Sequence, residues 1–432
     1  MASAAAPPPF VLGGRPLPVT VASRPADLPT HPLRLTRNDI VMPPSLTRII
    51  ALYAPCDAAA TIPRIVAGFH ALVAAFPIAA GRLKALEGGD WCVEWPADCD
   101  GAPLTIQRHP TATIAALRAA DFANDAMPTG LAPELPFLLK SADAPFCGHV
   151  TIMADGGLAV ALTTHHYLCD GHGTFAALRT WADLSRGVAP PPRLAPLPAE
   201  SRAALDALGD GADVGEHPEY TVKGPIPAPA APAPPPAADD ATARTSTDVG
   251  APAPAAAPWT PPPMTTQYVV FRAAALARLK AEAAAGAGVG AAAISTNDSL
   301  SSLLWRAMTR ARGLTGSTAV ACGFACNCRD RFKPSVGDGY WGNVNFFPLV
   351  STDAASLTAE GGLGRTAASF RAATNRMDDA YARSALAWVA SQPNKAAIEP
   401  SFSPYLGDDA AFTNWTRFDM YALDFGAGTP LR

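Results

Sequence analysis

Nine consecutive residues, His165-His166-Tyr167-Leu168-Cys169-Asp170-Gly171-His172-Gly173, concentrate the side chains of this chain best suited to move a proton. An imidazole that titrates near neutrality can take a proton from a hydroxyl or an amine. His165 and His166 are adjacent and point in different directions, so at most one of them leads into a cleft. Asp170 follows His166 by four residues, where a carboxylate can fix the local geometry, and Gly171 allows a tight turn. Three histidines in eight residues also suit a metal ion, but no carboxylate stands at ligand spacing. A third reading is an ordinary hydrogen-bonded His–Asp pair. From spacing alone catalysis, structure and metal binding all stand. Cys322, Cys326 and Cys328 lie close together without zinc-knuckle spacing and read as buried thiols of a strand, so no metal site is expected.

The elements that must position these residues can be read from the pattern. Apolar runs over 149–153 and 158–164 flank Asp155-Gly156-Gly157, a strong hairpin signal, and the second run leads straight into His165. A helix is expected over 175–184. Ile62, Ile65, Val66, Phe69, Leu72 and Val73 repeat with helical spacing over 62–75, and Pro77 stops that helix. Further on, helices are expected over 273–285 and from Asn297 or Asp298 as N-cap to Arg312, with Gly313 beyond its end. Strands are expected over 344–350 and 420–424. Strands and helices interleave on both sides of a proline-rich stretch, which makes the fold class α/β in two domains.

Hydrophobic residues are 49% of the 432 and charged residues 16%, enough apolar material for large cores. A net charge of −4 suggests neither a nucleic-acid nor an anionic-membrane partner. No uninterrupted apolar run reaches the length of a membrane span, and Met1 to Pro9 lacks the features of a signal peptide. Eight sparse cysteines without a paired framework point to a reducing, cytoplasmic setting. Pro225 to Pro263 contains 13 of the 45 prolines, a composition that cannot bury a face. We therefore expect a domain over 1–188, a linker over 189–264 that holds one short helix at 201–208 capped by Ser201, and a domain over 265–432.

The motifs also carry a resemblance. His166-x-x-x-Asp170-Gly171 after a strand resembles the signature of the CoA-dependent acyltransferases of the BAHD family. Asp424-Phe425-Gly426-Ala427-Gly428 resembles that family's Asp-Phe-Gly-Trp-Gly, with Ala427 in place of Trp. Phe76-Pro77 through Leu83, Asn297 through Arg306, Asn327 through Asn343 (with Arg329, Arg331 and Tyr340) and Thr413-Asn414-Trp415 resemble further family segments, so the likeness covers nearly the whole chain outside the linker. The closest subgroup likeness is to hydroxycinnamoyl transferases, through 378–386 and Gln392-Pro393.

The resemblance implies two chloramphenicol-acetyltransferase-like domains with mixed sheets flanked by helices and a channel between them. It implies His166 as general base, with acyl-CoA as co-substrate, no other cofactor and no acyl-enzyme. Asp170 would hold the loop through an arginine, and Gly171, Asp424 and Gly426 would support the site. Thr47, Thr413 and Trp415 would line the acceptor side. The partners would be acyl-CoA and a small-molecule acceptor, with no nucleic acid or membrane, and the protein a monomer. The subgroup's shikimate-binding arginine falls near Ile398-Glu399-Pro400, and its acceptor-side Ser and Tyr appear as Ile49 and Ala51, so shikimate is not expected as acceptor. Family members continue with a strand and helix where this chain ends at Arg432, so a truncated last domain is expected. Two other readings remain: a carrier-protein-dependent condensation domain, which shares His-His-x-x-x-Asp-Gly, and a non-catalytic binding relative.

Overall fold

The computed structural model describes residues 11–12, 15–133, 135, 144–223, 266–288, 290, 293–404 and 407–432. Five strands, β1 (Val19–Ser23), β2 (Leu46–Tyr53), β3 (Ala102–Arg108), β4 (Phe146–Ile152) and β5 (Leu158–His165), form one mixed sheet in the order β1-β3-β4-β5-β2. β3 and β4 run parallel and the other neighbours antiparallel. The β4–β5 hairpin turns where Asp155-Gly156-Gly157 predicts: Gly156 has φ 85° and the Asp155 carboxylate accepts from the Gly157 amide at 3.2 Å. Every residue of β4 and β5 is buried, because both faces of the sheet are covered. One face carries the helices α1 (Ala58–Ala75) and α2 (Gly171–Ser185). The other packs Leu52, Met153 and Ala159 against Ile114, Leu117 and Leu131.

Both helices begin four residues earlier than the apolar periodicity suggests, and a carboxylate explains each case. Asp57 caps α1 through the Ala60 amide at 3.1 Å, and Asp170 caps α2 through the Gly173 amide at 3.0 Å. The two helices cross closely at Gly68, where a Cβ would come within 2.4 Å of the Ser185 hydroxyl. By length and composition α1 could cross a membrane. Here Ile62, Ile65, Phe69, Leu72 and Val73 are instead fully buried in the core.

The second half is built on a smaller sheet of β6 (Ala319–Phe324), β7 (Leu349–Asp353) and β8 (Ala410–Phe412), ordered β7-β6-β8, with β6 antiparallel to β7 and parallel to β8. The expected strand over 344–350 is divided into Asn345–Phe346 and β7. The expected strand over 420–424 is a single 3₁₀ turn, Met420–Ala422.

Further helices include α3 (Ser201–Ala207), α4 (Ala273–Gly286), α5 (Thr296–Ala311), α6 (Gly362–Arg376) and α7 (Asp379–Ser391). The cap of α5 is Ser295 rather than Asn297 or Asp298. Asp298 sits at the third position and reaches back to the Ser295 amide, closing a capping box. Ser201 does not cap α3; its hydroxyl donates to the Pro198 carbonyl at 2.6 Å.

Residues 224–265, most of the expected linker, lie outside the described residues. The preceding part, 189–223, is packed rather than free. Leu194, Arg202, Leu205 and Tyr220 are buried, and Tyr220–Val222 pairs antiparallel with Ile398–Pro400. The C-terminal segment is tied to the first sheet. Leu431 and Arg432 exchange main-chain hydrogen bonds with Leu52 of β2, and the Tyr53 hydroxyl donates to the Leu423 carbonyl at 2.6 Å. Phe425 is fully buried edge-on between Tyr53 (6.0 Å) and Trp181 of α2 (5.1 Å). Truncating such a ring typically costs about 3–5 kcal/mol. Phe425→Ala should lower the unfolding free energy by about that much in chemical denaturation. A loss below about 1 kcal/mol would show that the C-terminal loop is not anchored through this ring.

Candidate active site

β5 ends at His165 and α2 begins at Gly171, so the turn between them is fixed at both ends. The two histidines part there. His165 is fully buried; its Nδ1 accepts from the Tyr167 amide at 3.1 Å, and its ring meets the Tyr167 ring edge-on. The amide of His166 donates to the Ser45 carbonyl at 2.8 Å, and its half-buried side chain turns to Asn343.

Asn343 sets the state of that imidazole. Its side-chain amide group donates to the Asp39 carboxylate at 2.8 Å and to the His166 carbonyl at 2.7 Å. Both partners only accept, so both amide hydrogens are committed and the carbonyl oxygen must be what faces His166 Nδ1 at 3.0 Å. Nδ1 therefore carries the proton and donates, which leaves the lone pair on Nε2. Among the described residues nothing is hydrogen-bonded to Nε2. Burial holds the imidazole below the ordinary histidine value of 6.5, against the opposite pull of the Asp170 charge. The result is a neutral imidazole with a fixed tautomer and a free basic nitrogen.

Two buried ion pairs flank Asn343. Asp39, capped into the one-turn helix Arg37–Ile40 by Thr36, also accepts from the Asn343 main-chain amide at 3.1 Å and from Arg202 at 2.6 Å. Arg202 donates on to the Leu168 carbonyl at 2.6 Å, within the histidine turn itself. Asp170 points away from the imidazole. It takes Arg329 at 2.8 and 3.0 Å on its two oxygens, together with the amides of Gly173 (3.0 Å) and Val344 (3.0 Å). Burial alone would raise this carboxyl, but Arg329 and the two amides hold it below its usual value. The expectation that Asp170 binds an arginine thus holds in the geometry, and the arginine is Arg329.

Gly171 has a different use from the one the sequence suggests. It is the first residue of α2, and its conformation does not demand glycine. A Cβ there would come within 3.0 Å of the Trp415 ring, so the missing side chain lets the 413–418 loop dock. Trp415 donates from Nε1 to the Thr413 hydroxyl at 3.0 Å and meets Phe418 edge-on, and Phe418 stacks on Phe175 of α2. Thr413 and Trp415 are therefore brought to the start of α2. Thr47 stands opposite Thr164 in the β2–β5 register, and Thr164 shares a 2.8 Å hydrogen bond with Thr174 of α2. Ile49 and Ala51 share that face of β2 and are buried. Arg48 reaches the Leu135 carbonyl instead. Glu399 pairs at the surface with Lys223 at 2.7 Å.

Asp424 and Gly426 lie at the other end of α2 from His166. Asp424 accepts from the amides of Gly426 (2.7 Å) and Gly428 (3.0 Å) and lies 3.9 Å from Arg186. They close the C-terminal loop and do not touch the imidazole. Asn343, Asp39 and Arg202 were not identified as site residues from sequence. Asn343 and Arg202 lie 177 and 36 positions after His166, with no local pattern linking them to it. The described residues hold no group of three or more metal-ligating side chains.

The comparisons fall on the same chemistry. The family model described as the Transferase family matches residues 24–432. Rice (Oryza sativa subsp. japonica) hydroxycinnamoyltransferase 2 is 30% identical over 84% of this chain and 75% of its own length. An Avena sativa hydroxycinnamoyl-CoA:5-hydroxyanthranilate N-hydroxycinnamoyltransferase is 28% identical over 94% and 86%. Among solved structures, F. sporotrichioides TRI101 with coenzyme A and T-2 superposes with a TM-score of 0.71 at 18% identity, over 93% of this chain and 88% of that one. Vinorine synthase gives 0.59 at 16% identity, over 96% and 86%. A histidine turn held by buried ion pairs, set in this mixed α/β fold and matched by the family model almost from end to end, places the chain in the transferase family of BAHD CoA-dependent acyltransferases.

Proposed function

We propose that the chain moves an acyl group from acyl-CoA to a hydroxyl or amine of a small specialised metabolite, with His166 Nε2 as the general base. The observation that carries this reading is the Asn343 carbonyl at 3.0 Å from His166 Nδ1, which fixes the neutral tautomer with its lone pair on Nε2. In the reaction Nε2 takes the acceptor proton as the acceptor oxygen or nitrogen attacks the thioester carbonyl. The tetrahedral oxyanion then collapses, the C–S bond breaks, and the imidazolium returns the proton to the departing thiolate. No acyl-enzyme forms, and Cys169, buried with its thiol pushed up to about 11 by burial, has no part in the step.

Asp170, Gly171, Asp424 and Gly426 hold the turn and the loop; Thr47, Thr413 and Trp415 line the acceptor side. Relatives named for hydroxycinnamoyl transfer to 5-hydroxyanthranilate and to agmatine support an aromatic acyl-CoA donor and admit an amine acceptor. The proposal includes the division of the chain at 188 and 265, a monomeric state and a cytoplasmic setting.

His166→Ala should reduce kcat/KM for p-coumaroyl-CoA by about 10²- to 10⁴-fold while leaving the thermal midpoint close to that of the parent protein. Because burial lowers the imidazole pKa, the acidic limb of the parent's kcat/KM profile should lie below pH 6.5. An acidic limb at or above that value, or a fully active His166→Ala, would remove His166 as the base.

Asp170→Asn should act on stability first. Unpairing one member of a buried ion pair typically costs about 3–5 kcal/mol. Asp170 titrates below its usual value in the folded state, so the stability it contributes is present above the ordinary carboxyl value of 3.8 and is lost as pH falls through the lowered one. Denaturant unfolding at neutral pH should show the loss while the position of the acidic limb stays unchanged. A shifted limb with unchanged stability would instead put Asp170 in proton transfer.

Shikimate should be a poor acceptor. Its carboxylate needs a charge-assisted partner worth about 1.5–3 kcal/mol, roughly one to two decades of rate. Ile49 and Ala51 supply none, Arg48 is turned to Leu135, and 398–400 carries no arginine. A comparison of kcat/KM for shikimate and for neutral alcohols and amines, with one p-coumaroyl-CoA donor, decides the point. A tenfold preference for shikimate would overturn this reading of the acceptor side.

A further inference from the structure

A second constellation lies outside this site. The packed segment after α3 lays His217 and Glu219 against α7, which carries Tyr381 and Ser384. The Ser384 hydroxyl is 3.0 Å from His217 Nε2, and His217 Nδ1 is 3.1 Å from Glu219 Oε1. The other oxygen of Glu219 accepts from the Tyr381 hydroxyl at 2.7 Å. The side chains of His217 and Glu219 are completely buried, whereas Ser384 is half-buried. Gly215, His217, Tyr381 and Ser384 all line a cavity of about 690 Å³, with Arg376 also on its wall. None of these hydrogen bonds runs to His166, Asn343 or Asp170.

The order of the hydrogen bonds fixes the roles. Glu219 accepts, so His217 Nδ1 donates to it and Nε2 holds the lone pair toward Ser384. The Ser384 oxygen accepts from the Gly215 amide at 2.9 Å and gives its own hydrogen to Nε2. A hydroxyl, an imidazole that can take its proton and a buried carboxylate that fixes the imidazole tautomer make up the arrangement that activates a nucleophilic oxygen.

We propose that Ser384, His217 and Glu219 form a second, nucleophilic site that cleaves small activated esters or thioesters entering this cavity. The Ser384 oxygen attacks the acyl carbon while Nε2 takes its proton. The tetrahedral intermediate breaks its bond to the leaving alcohol or thiol, which carries away that proton and leaves an acyl-serine. A water molecule, deprotonated by the same imidazole, attacks the acyl-serine, releasing the carboxylic acid and restoring Ser384. This chemistry is hydrolytic and does not depend on His166.

The test is covalent labelling of the full-length protein with diisopropyl fluorophosphate, mapped by peptide mass spectrometry. Ser384 should be labelled while the other serines stay unmodified, and acylation by p-nitrophenyl acetate should appear on the same residue. Ser384→Ala should abolish the label and leave acyl transfer from p-coumaroyl-CoA at the parent rate. His217→Gln and Glu219→Gln should slow labelling at least a hundredfold and about tenfold, respectively. The map of the unmutated protein tests the proposal even if the buried variants fail to fold. Absence of label on Ser384, labelling spread over many serines, or a labelling rate independent of His217 would overturn it.

Discussion

The bidentate pair between Arg329 and Asp170 is the contact on which the histidine turn depends. It joins residues 159 positions apart, and both side chains are almost wholly buried. Two charges out of water are stable only when their remaining hydrogen-bonding capacity is met. Here it is met mainly by main chain: Asp170 takes the amides of Gly173 and Val344, and Arg329 donates to the carbonyls of Tyr340 and Gly342 and, at 3.3 Å, to the Asn327 side-chain oxygen. One carboxylate thereby starts α2, terminates the turn after His166 and holds the 340–344 stretch that brings Asn343 to the imidazole. Apolar residues of similar volume could be as stable at such a place. They could not specify the separation of Asn343 and His166 so narrowly.

The same economy explains why an amide and not a carboxylate touches His166. A carboxylate on Nδ1 would stabilise the imidazolium and raise its pKa, favouring the protonated ring that cannot act as a base. Asn343 orients the ring at less electrostatic cost, and the charge of Asp39 is kept one residue further out, neutralised by Arg202. Desolvation of the ring lowers its pKa, which favours the neutral form. Positioning and protonation state are set by different groups, so the position of the imidazole can be strict without making it permanently charged.

How much of this could be read beforehand depended on whether the signal was local. The β4–β5 hairpin and the run of β5 into His165 follow from short-range pattern, whereas local pattern alone did not choose between His165 and His166. Helix starts were missed by four residues at α1 and α2, because the periodicity of apolar residues cannot see a capping carboxylate that precedes it. The stretch 189–223 read as linker since composition shows proline and alanine, yet its few large residues, Leu194, Arg202, Leu205 and Tyr220, are the ones that become buried. Arg329 and Asn343 stood inside a segment whose likeness to the family was visible, but their contacts to Asp170 and His166 arise only when the two halves meet. Residues 420–424 are apolar enough for a strand, yet they form a turn.

That turn shows what the second motif encodes. Asp424 closes the loop by accepting two amides, and both donors, Gly426 and Gly428, have left-handed backbone, with φ of 88° and 86°. Neither position suits a residue with a Cβ. Phe425 supplies the anchor by filling the space between β2 and α2. The residue between the glycines contributes neither a hydrogen bond nor a backbone requirement to this arrangement; it packs partly against the same core. Ala427 in place of a tryptophan therefore removes apolar contact area while leaving the closure intact. The loop still fastens the C-terminal segment to β2, the strand that carries Thr47.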